Sequence, residues 1–141
     1  MQIVLDVIGT QRIGREKDKI EMTTVAELEQ SDDCYIVNYT EEQEPPYAPI
    51  HVCVKINKDE RRVEMSRTGE YNSILIIEKS NRNLCHYNTE YGDILMGISG
   101  HTIDADFNDQ GGQFIFAYDL DINGALASKN VVKLIFKYNQ E

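Results

Sequence analysis

Arg67 is the residue whose type and position point most directly to chemistry. It continues the strand phase of Val63 and Met65, so the alternation that buries those two side chains directs Arg67 inward. A guanidinium inside a small fold needs a partner, because an unpaired buried charge costs several kcal/mol. Two interpretations remain open. Arg67 anchors the carboxylate or phosphate of a ligand, or it forms a structural pair with an acid or with backbone carbonyls at the mouth of the fold.

Three tyrosines and one histidine accompany this arginine as candidate ligand-binding residues. Tyr87, Tyr118 and Tyr138 follow the apolar phases of their own strands, which predicts buried rings whose hydroxyls are available for polar contacts. Ordinary packing in the core or at the mouth is the alternative for each ring. His101 shares its strand phase with Ile103, which predicts an interior polar position. Together these residues predict a site for a small, partly apolar, anionic molecule.

The sequence contains no pattern typical of a catalytic or metal site. Its three histidines are scattered, and its three cysteines include no CxxC pair. Residues 97–101 (GISGH) lack the GxSxG spacing of a nucleophile elbow. Residues 119–130 begin like an EF-hand loop but end in Asn130, where a bidentate glutamate is required. We therefore predict no catalytic residue, no metal and no cofactor.

The elements that position these side chains are β-strands. Apolar and polar residues alternate with a period of two over most of the chain, for example in residues 50–56 and 132–138. One apolar and one polar face per strand is typical of antiparallel sheets. The alternation and the intervening turn residues predict about ten strands, of which the eighth is long enough to bend or bulge: 2–9, 19–30, 34–42, 50–57, 61–68, 73–79, 83–88, 93–106, 113–121 and 130–138.

Such strands without crossover helices predict an all-β fold with a single domain over residues 1–141. An antiparallel, closed or nearly closed up-and-down β-barrel of about eight to ten strands is favoured, because an open sheet would expose its edges. The interior of such a barrel is just wide enough to be filled by side chains or to hold one small ligand. Residues 41–49 contain all three prolines and predict an extended acidic surface loop.

Charge and composition exclude several classes of partner. The 141 residues carry 24 acidic and 14 basic side chains, and this net charge of −10 disfavours nucleic acids and anionic membranes. No apolar run approaches the roughly 20 residues of a membrane-spanning helix. The odd cysteine count and the absence of a basic, apolar leader predict a cytoplasmic protein.

Three segments resemble motifs of the DUF1934 family of bacterial proteins. Residues 63–69 (VEMSRTG) resemble its hydrophobic-x-x-x-Arg-x-Gly strand, and residues 86–92 (HYNTEYG) resemble its Tyr-x-Thr-x-Tyr-Gly turn. Residues 111–120 (GGQFIFAYDL), followed by Asn130, resemble its C-terminal motif. The resemblance extends over essentially the whole chain. It implies a calycin-like β-barrel, similar in shape to lipocalins and fatty-acid-binding proteins, and it implies no particular activity.

Three functions remain open at this point. The first is a binding module that holds a small anionic or amphipathic molecule inside the barrel. The second is a structural or adaptor protein with a solid core, which acts through its surface or as a homodimer. The third is a small enzyme that uses the same cavity, although no spacing of a nucleophile or of an acid–base pair supports it. A filled interior would remove the first and the third.

Overall fold

The computed structural model describes residues 1–139, which form ten β-strands and no helix. In chain order the strands are β1 Gln2–Ile13, β2 Glu16–Gln30, β3 Cys34–Glu41, β4 Ile50–Asn57, β5 Arg62–Thr68, β6 Ser73–Glu78, β7 Arg82–Thr89, β8 Gly92–Phe107, β9 Gly111–Ile122 and β10 Ala125–Tyr138. Within residues 1–139 no helix is long and apolar enough to cross a membrane. All the predicted strands are present, and the largest boundary differences lie at the β1–β2 and β9–β10 hairpins.

The strands form a closed antiparallel up-and-down barrel, as predicted. Each strand pairs with its neighbours in sequence, and β1 closes the barrel by pairing with β10. Closure gives every strand a partner on both sides, although β6 and β7 share a single register pair within residues 1–139, and it limits the free sheet edges that promote aggregation. The inward residues are apolar along most strands, as in β4, where Val52, Val54 and Ile56 have no exposed surface.

The β1–β2 hairpin is longer than predicted and forms an arm that continues past the core. Its strands stay paired as far as Ile13 and Glu16, and Gly14 makes the turn with a φ of 60°. Every residue from 11 to 20 is exposed, so neither face of this arm is buried. Apolar and polar residues alternate only where one face of a strand is buried. The pattern therefore could not predict that the two strands continue into this arm.

Strand β8 contains a β-bulge directly after Gly100, in agreement with the bend or bulge predicted from its length. The β8–β9 register changes between Gly100↔Tyr118 and Ile103↔Phe116, so that two residues of β8 lie opposite one of β9 in a β-bulge. Gly100 also lies against β6, because a Cβ atom at this position would be 2.2 Å from the carbonyl oxygen of Glu78. Only glycine fits this contact between β8 and the end of β6.

One end of the barrel interior is aromatic. Five rings pack across it with neighbouring centroids 4.7 to 5.8 Å apart, namely those of Tyr35, Phe107, Phe114, Phe136 and Tyr138. Tilted and edge-on ring pairs at such distances contribute about 0.5–1.5 kcal/mol each beyond the burial of their surface. Side chains therefore occupy this end of the interior, and an interior ligand must lie towards the opposite end.

An ion pair on the outer face connects β7 to β9 across β8. Arg82 donates from Nε and Nη2 to the two carboxylate oxygens of Asp121, at 2.9 and 2.7 Å. Gly97 of β8 lies beneath the pair, since a Cβ atom there would be 2.4 Å from both Arg82 Nε and Asp121 Oδ2. The hydrogen bonds from Arg82, with a smaller contribution from the backbone N–H of Gly124, hold the pKa of Asp121 below its usual value.

Asp121→Asn is expected to reduce the acid sensitivity of the fold. Because the pKa of Asp121 is lower in the folded chain, its ionised form stabilises the fold above the unfolded-state pKa of about 4. This stabilisation is lost as the pH falls through the lower folded-state pKa. Thermal melts should show wild type more stable at neutral pH and the two proteins converging in acid. The exposed carboxylate of Asp106 provides the control variant Asp106→Asn. An Asp121→Asn profile parallel to wild type would contradict this account.

Candidate ligand-binding site

A row of inward residues crosses five neighbouring strands at the end of the barrel opposite the aromatic cluster. The register places Tyr39, Val52, Arg67, Ser73 and Tyr87 side by side on β3, β4, β5, β6 and β7. Arg67 therefore lies on the inward strand phase, as its apolar neighbours on β5 predicted. Two of the predicted ligand-binding residues, Arg67 and Tyr87, belong to this one row. The prediction of a buried ring is wrong for Tyr87, which is 40% exposed because it lies near the end of β7.

Arg67 forms an ion pair with Glu41, the last residue of β3. Arg67 Nη2 donates to Glu41 Oε2 at 2.6 Å, and Nη1 donates to Oε1 at 3.3 Å. The structural pairing with an acid, one of the two interpretations of Arg67, is thus present. A guanidinium has five N–H groups, so three remain for a second acceptor. The side chains of Arg67 and Glu41 are 34% and 22% exposed, which places the pair at the mouth of the barrel.

Polar side chains also line the facing wall, on β9 and β10. Tyr118 is paired in register with Asn130, and both residues are buried. Asn130 Nδ2 donates to Ser128 Oγ at 2.9 Å, and Ser128 is buried as well. We call the two polar walls together the Arg67 end of the barrel, which comprises Tyr39, Glu41, Arg67, Ser73, Tyr87, Tyr118, Ser128 and Asn130.

Within residues 1–139, the hydroxyls of Tyr39 and Tyr118 have no hydrogen-bond partner, although their rings are buried. The two residues are only 6% and 8% exposed. Among the side-chain hydrogen bonds of residues 1–139, neither hydroxyl takes part. In the same part of the chain, no side-chain nitrogen or oxygen is both sealed from solvent and unpartnered. Each hydroxyl therefore borders a space that a water or a ligand atom can enter.

Both hydroxyls are proton donors at neutral pH. Burial raises the pKa of Tyr39, and the charge of Glu41 adds to this effect while that of Arg67 opposes it. Burial likewise raises the pKa of Tyr118, against the opposing charge of Arg67. The guanidinium thus acts on hydroxyls from both walls. A site that offers phenol and guanidinium donors suits a ligand rich in acceptors, such as a carboxylate or a phosphate.

A cavity of about 240 Å³ opens next to Arg67. Arg67, Ser73, Tyr87 and Tyr47 of the acidic loop between β3 and β4 line it, whereas Tyr39 and Tyr118 are not among its lining residues. Ser73↔Tyr87 is also the one register pair between β6 and β7 in residues 1–139, so these two strands pair beside the cavity and have no register pair further from it. The volume is smaller than the roughly 300–1,000 Å³ of pockets for drug-sized ligands, which limits a ligand to a small molecule.

Two of the predicted site residues lie elsewhere. Tyr138 packs edge-on against Phe136, with ring centroids 5.8 Å apart, in the aromatic cluster at the opposite end. His101 lies on the outer surface, where its Nε2 is 3.0 Å from Asp119 Oδ2, so its predicted interior position is wrong. The β-bulge after Gly100 reverses the strand phase, and His101 therefore no longer shares the phase of Ile103.

Several residues of the Arg67 end were not predicted, although strand phase carried the necessary signal. Tyr39 and Glu41 continue the inward phase of Val37 on β3. Ser128 and Asn130 precede the inward apolar residues of β10 in the same way. Small polar residues on a buried strand phase indicate a polar interior as clearly as an arginine does. A single residue of this kind, however, does not indicate which ligand or reaction it would serve.

Two of the three cysteines, Cys34 and Cys85, are buried, and the sulfur atom of each takes part in a hydrogen bond. Cys34, at the start of β3, is buried with its Sγ 3.1 Å from Ser31 Oγ. Cys85 Sγ accepts a hydrogen bond from the backbone N–H of Ile76 at 3.4 Å. Within residues 1–139, no group of three or more His, Cys, Asp or Glu side chains is arranged to hold a metal ion.

Comparison with known proteins identifies the family. A family model described as "Domain of unknown function (DUF1934)" matches residues 5–134. No protein with a curated description matches the chain. The crystal structure of the ywiB protein from Bacillus subtilis is similar, with a TM-score of 0.83 over 99% of this chain and 92% of that one, at 16% sequence identity. Likeness at this identity concerns the fold alone. The chain belongs to the DUF1934 family, as its motifs predicted.

Proposed function

We propose that the protein is a cytoplasmic binding module that holds a small, partly apolar acid at the Arg67 end of the barrel. The observation that carries this proposal is the pair of buried tyrosines, Tyr39 and Tyr118, whose hydroxyls have no partner within residues 1–139 yet reach open space. Water can pair with both hydroxyls there, and an anionic acceptor in its place would receive charge-assisted hydrogen bonds, which are about twice as strong as neutral ones. A ligand held at one end of a calycin-like barrel also fits the shape expected for this family.

The ligand is held by two kinds of contact. Its acid group accepts from the N–H groups of Arg67 that Glu41 does not use and from the tyrosine hydroxyls. Its apolar part lies against the apolar side chains that line the cavity, namely Ile50, Ala48 and the ring of Tyr47. Charge-assisted hydrogen bonds provide orientation, and apolar burial adds affinity. The three free cysteines support a reducing compartment.

Native mass spectrometry of protein purified without denaturation tests this function. Wild-type protein should carry a bound small acid. Tyr118→Phe removes a single donor to a charged group, worth about 1.5–3 kcal/mol, and should weaken binding about tenfold or more. The stability of this variant without ligand should not fall, because the lost hydroxyl has no hydrogen-bond partner within residues 1–139. Tyr138→Phe, at the aromatic end, is the matched control. Absence of any bound molecule, or equal loss in both variants, would contradict the proposal.

A second candidate, an adaptor that acts as a homodimer, is favoured by one observation. Apolar side chains are exposed on the outer faces of the adjacent strands β6, β7 and β8, including Ile74, Leu84 and Leu95. Contiguous exposed apolar surface commonly marks an interaction site. The same mass spectra report the oligomeric state. A dimer without any bound small molecule would favour this second function over the first.

A further inference from the structure

A shallow groove lies on the outer surface of the barrel, away from the Arg67 end. Its volume is about 350 Å³, and it spans β1, β10 and β9 beside the base of the β1–β2 arm. Thr10, Val131 and Ala117 lie next to one another across these three strands and form the floor. Two methyl-bearing apolar residues and a threonine give the groove a largely apolar base.

Three basic side chains stand in a row along one side of this groove. Lys17, Arg12 and Lys129 are direct cross-strand neighbours on β2, β1 and β10. Like charges placed directly opposite each other destabilise a sheet. The ion pairs within residues 1–139 include none of the three. The next residue in the row, Asp119, is bound to His101 at 3.0 Å.

We propose that this groove binds a phosphate monoester, with its phosphate on the basic row and its apolar part over Val131 and Ala117. The three basic side chains and the carboxylate of Asp119 together leave two positive charges, which the two negative charges of a phosphate monoester would balance. The planar guanidinium of Arg12 offers the two parallel N–H groups that phosphate oxygens accept. A bound phosphate also offsets the repulsion between the three basic side chains. Folding alone leaves this repulsion uncompensated, so a ligand explains why the three charges lie together.

The occupant is a small molecule and not a nucleic acid. Nucleic-acid binding typically rests on several phosphate contacts along an extended basic surface. Here the basic row is three side chains wide, and the chain as a whole carries a net charge of −10, which repels a polyanion. A single phosphate group is small enough to be attracted by the basic row without contacting the acidic residues elsewhere on the surface.

Phenyl phosphate is the probe, and the measurement is an amide NMR titration of the full chain. We expect saturable shifts at Thr10, Ala117 and Val131, and weaker binding of inorganic phosphate, which has no apolar part. Arg12→Gln should weaken phenyl phosphate binding about tenfold or more. The melting temperature of unliganded Arg12→Gln should stay the same or rise, because the substitution relieves like-charge repulsion. Lys55→Gln, an exposed substitution on β4, removes the same charge elsewhere and should leave binding unchanged.

Three outcomes would overturn the proposal. The first is equal weakening by Arg12→Gln and Lys55→Gln, which would show attraction to net charge only. The second is the absence of shifts in the groove, including the case in which shifts are confined to the Arg67 end. The third is tighter binding of a single-stranded oligonucleotide than of phenyl phosphate. Failure of this site leaves the function proposed for the Arg67 end standing, because the two sites share only Asn130, and none of the basic side chains of the row belongs to the Arg67 end.

Discussion

Gly100→Ala is expected to destabilise the fold by about 3 kcal/mol, the upper end of the usual cost of overpacking. The added Cβ would lie 2.2 Å from the carbonyl oxygen and 2.6 Å from the carbonyl carbon of Glu78. Both obstacles are backbone atoms, so no side-chain rotation relieves the clash. The same region is fixed by hydrogen bonds from Ser80 N to Gly100 O and from Gly100 N to Asn81 O, both at 3.1 Å. Urea denaturation followed by circular dichroism gives the free energy of unfolding.

Gly9→Ala is the matched control for this prediction. Gly9 also lies within a strand, but no heavy atom comes within 4 Å of an added Cβ. The substitution restricts the unfolded chain without a clash and should change stability by less than about 1 kcal/mol, in the stabilising direction. Equal stability of the Gly100→Ala and Gly9→Ala proteins would show that β8 does not approach β6 as described.

Arg67→Met is expected to lower stability by about 1–3 kcal/mol, the range for a lost hydrogen bond to a charged group. It leaves Glu41 partly buried without its partner. The loss should be smaller than the ~3–5 kcal/mol of a fully buried pair, because both side chains keep some exposure. Glu41→Gln should show a similar loss. The double variant should lose less than the sum, with a coupling energy of at least about 1 kcal/mol.

The Lys19–Glu21 pair provides the control for this cycle. Its N–O distance is also 2.6 Å, but both side chains are 58% exposed. Exposed pairs of this kind contribute about 0.2–1 kcal/mol, so the coupling from Lys19→Met and Glu21→Gln should be smaller. If Arg67→Met left stability unchanged or increased it, the pair with Glu41 would not form in solution, and Arg67 would serve a ligand alone.

Most of the fold could be predicted from the sequence, because a strand with one buried face shows alternating apolar and polar residues. In β4 the buried phase of Val52, Val54 and Ile56 is unbroken, and the predicted strand matches the observed one. The arm around Gly14 has no buried face and gave no such signal. The bulge after Gly100 depends on how β8 meets β9 and β6, which is a tertiary property outside the local pattern.

The candidate site was predicted only in part, for the same physical reason. Arg67 and Tyr118 lie where strand phase placed them, and the register between strands then determines which residues meet. Register depends on turn lengths and bulges across the whole barrel, so the partner Glu41, 26 residues away, could not be identified from spacing. The position of Tyr138 in the aromatic cluster could not be predicted either. Strand phase indicates which face of the sheet a residue occupies, but not at which end of the barrel it lies.

A crystal structure of the protein purified without denaturation tests the central claim, that the Arg67 end holds a small acid. We expect electron density for a molecule in the cavity bounded by Arg67, Ser73 and Tyr87. Its acidic group should lie within hydrogen-bond distance of the guanidinium and of the Tyr118 hydroxyl. Ordered water alone in the cavity, with the hydroxyls of Tyr39 and Tyr118 bonded to groups of the protein itself, would contradict the claim.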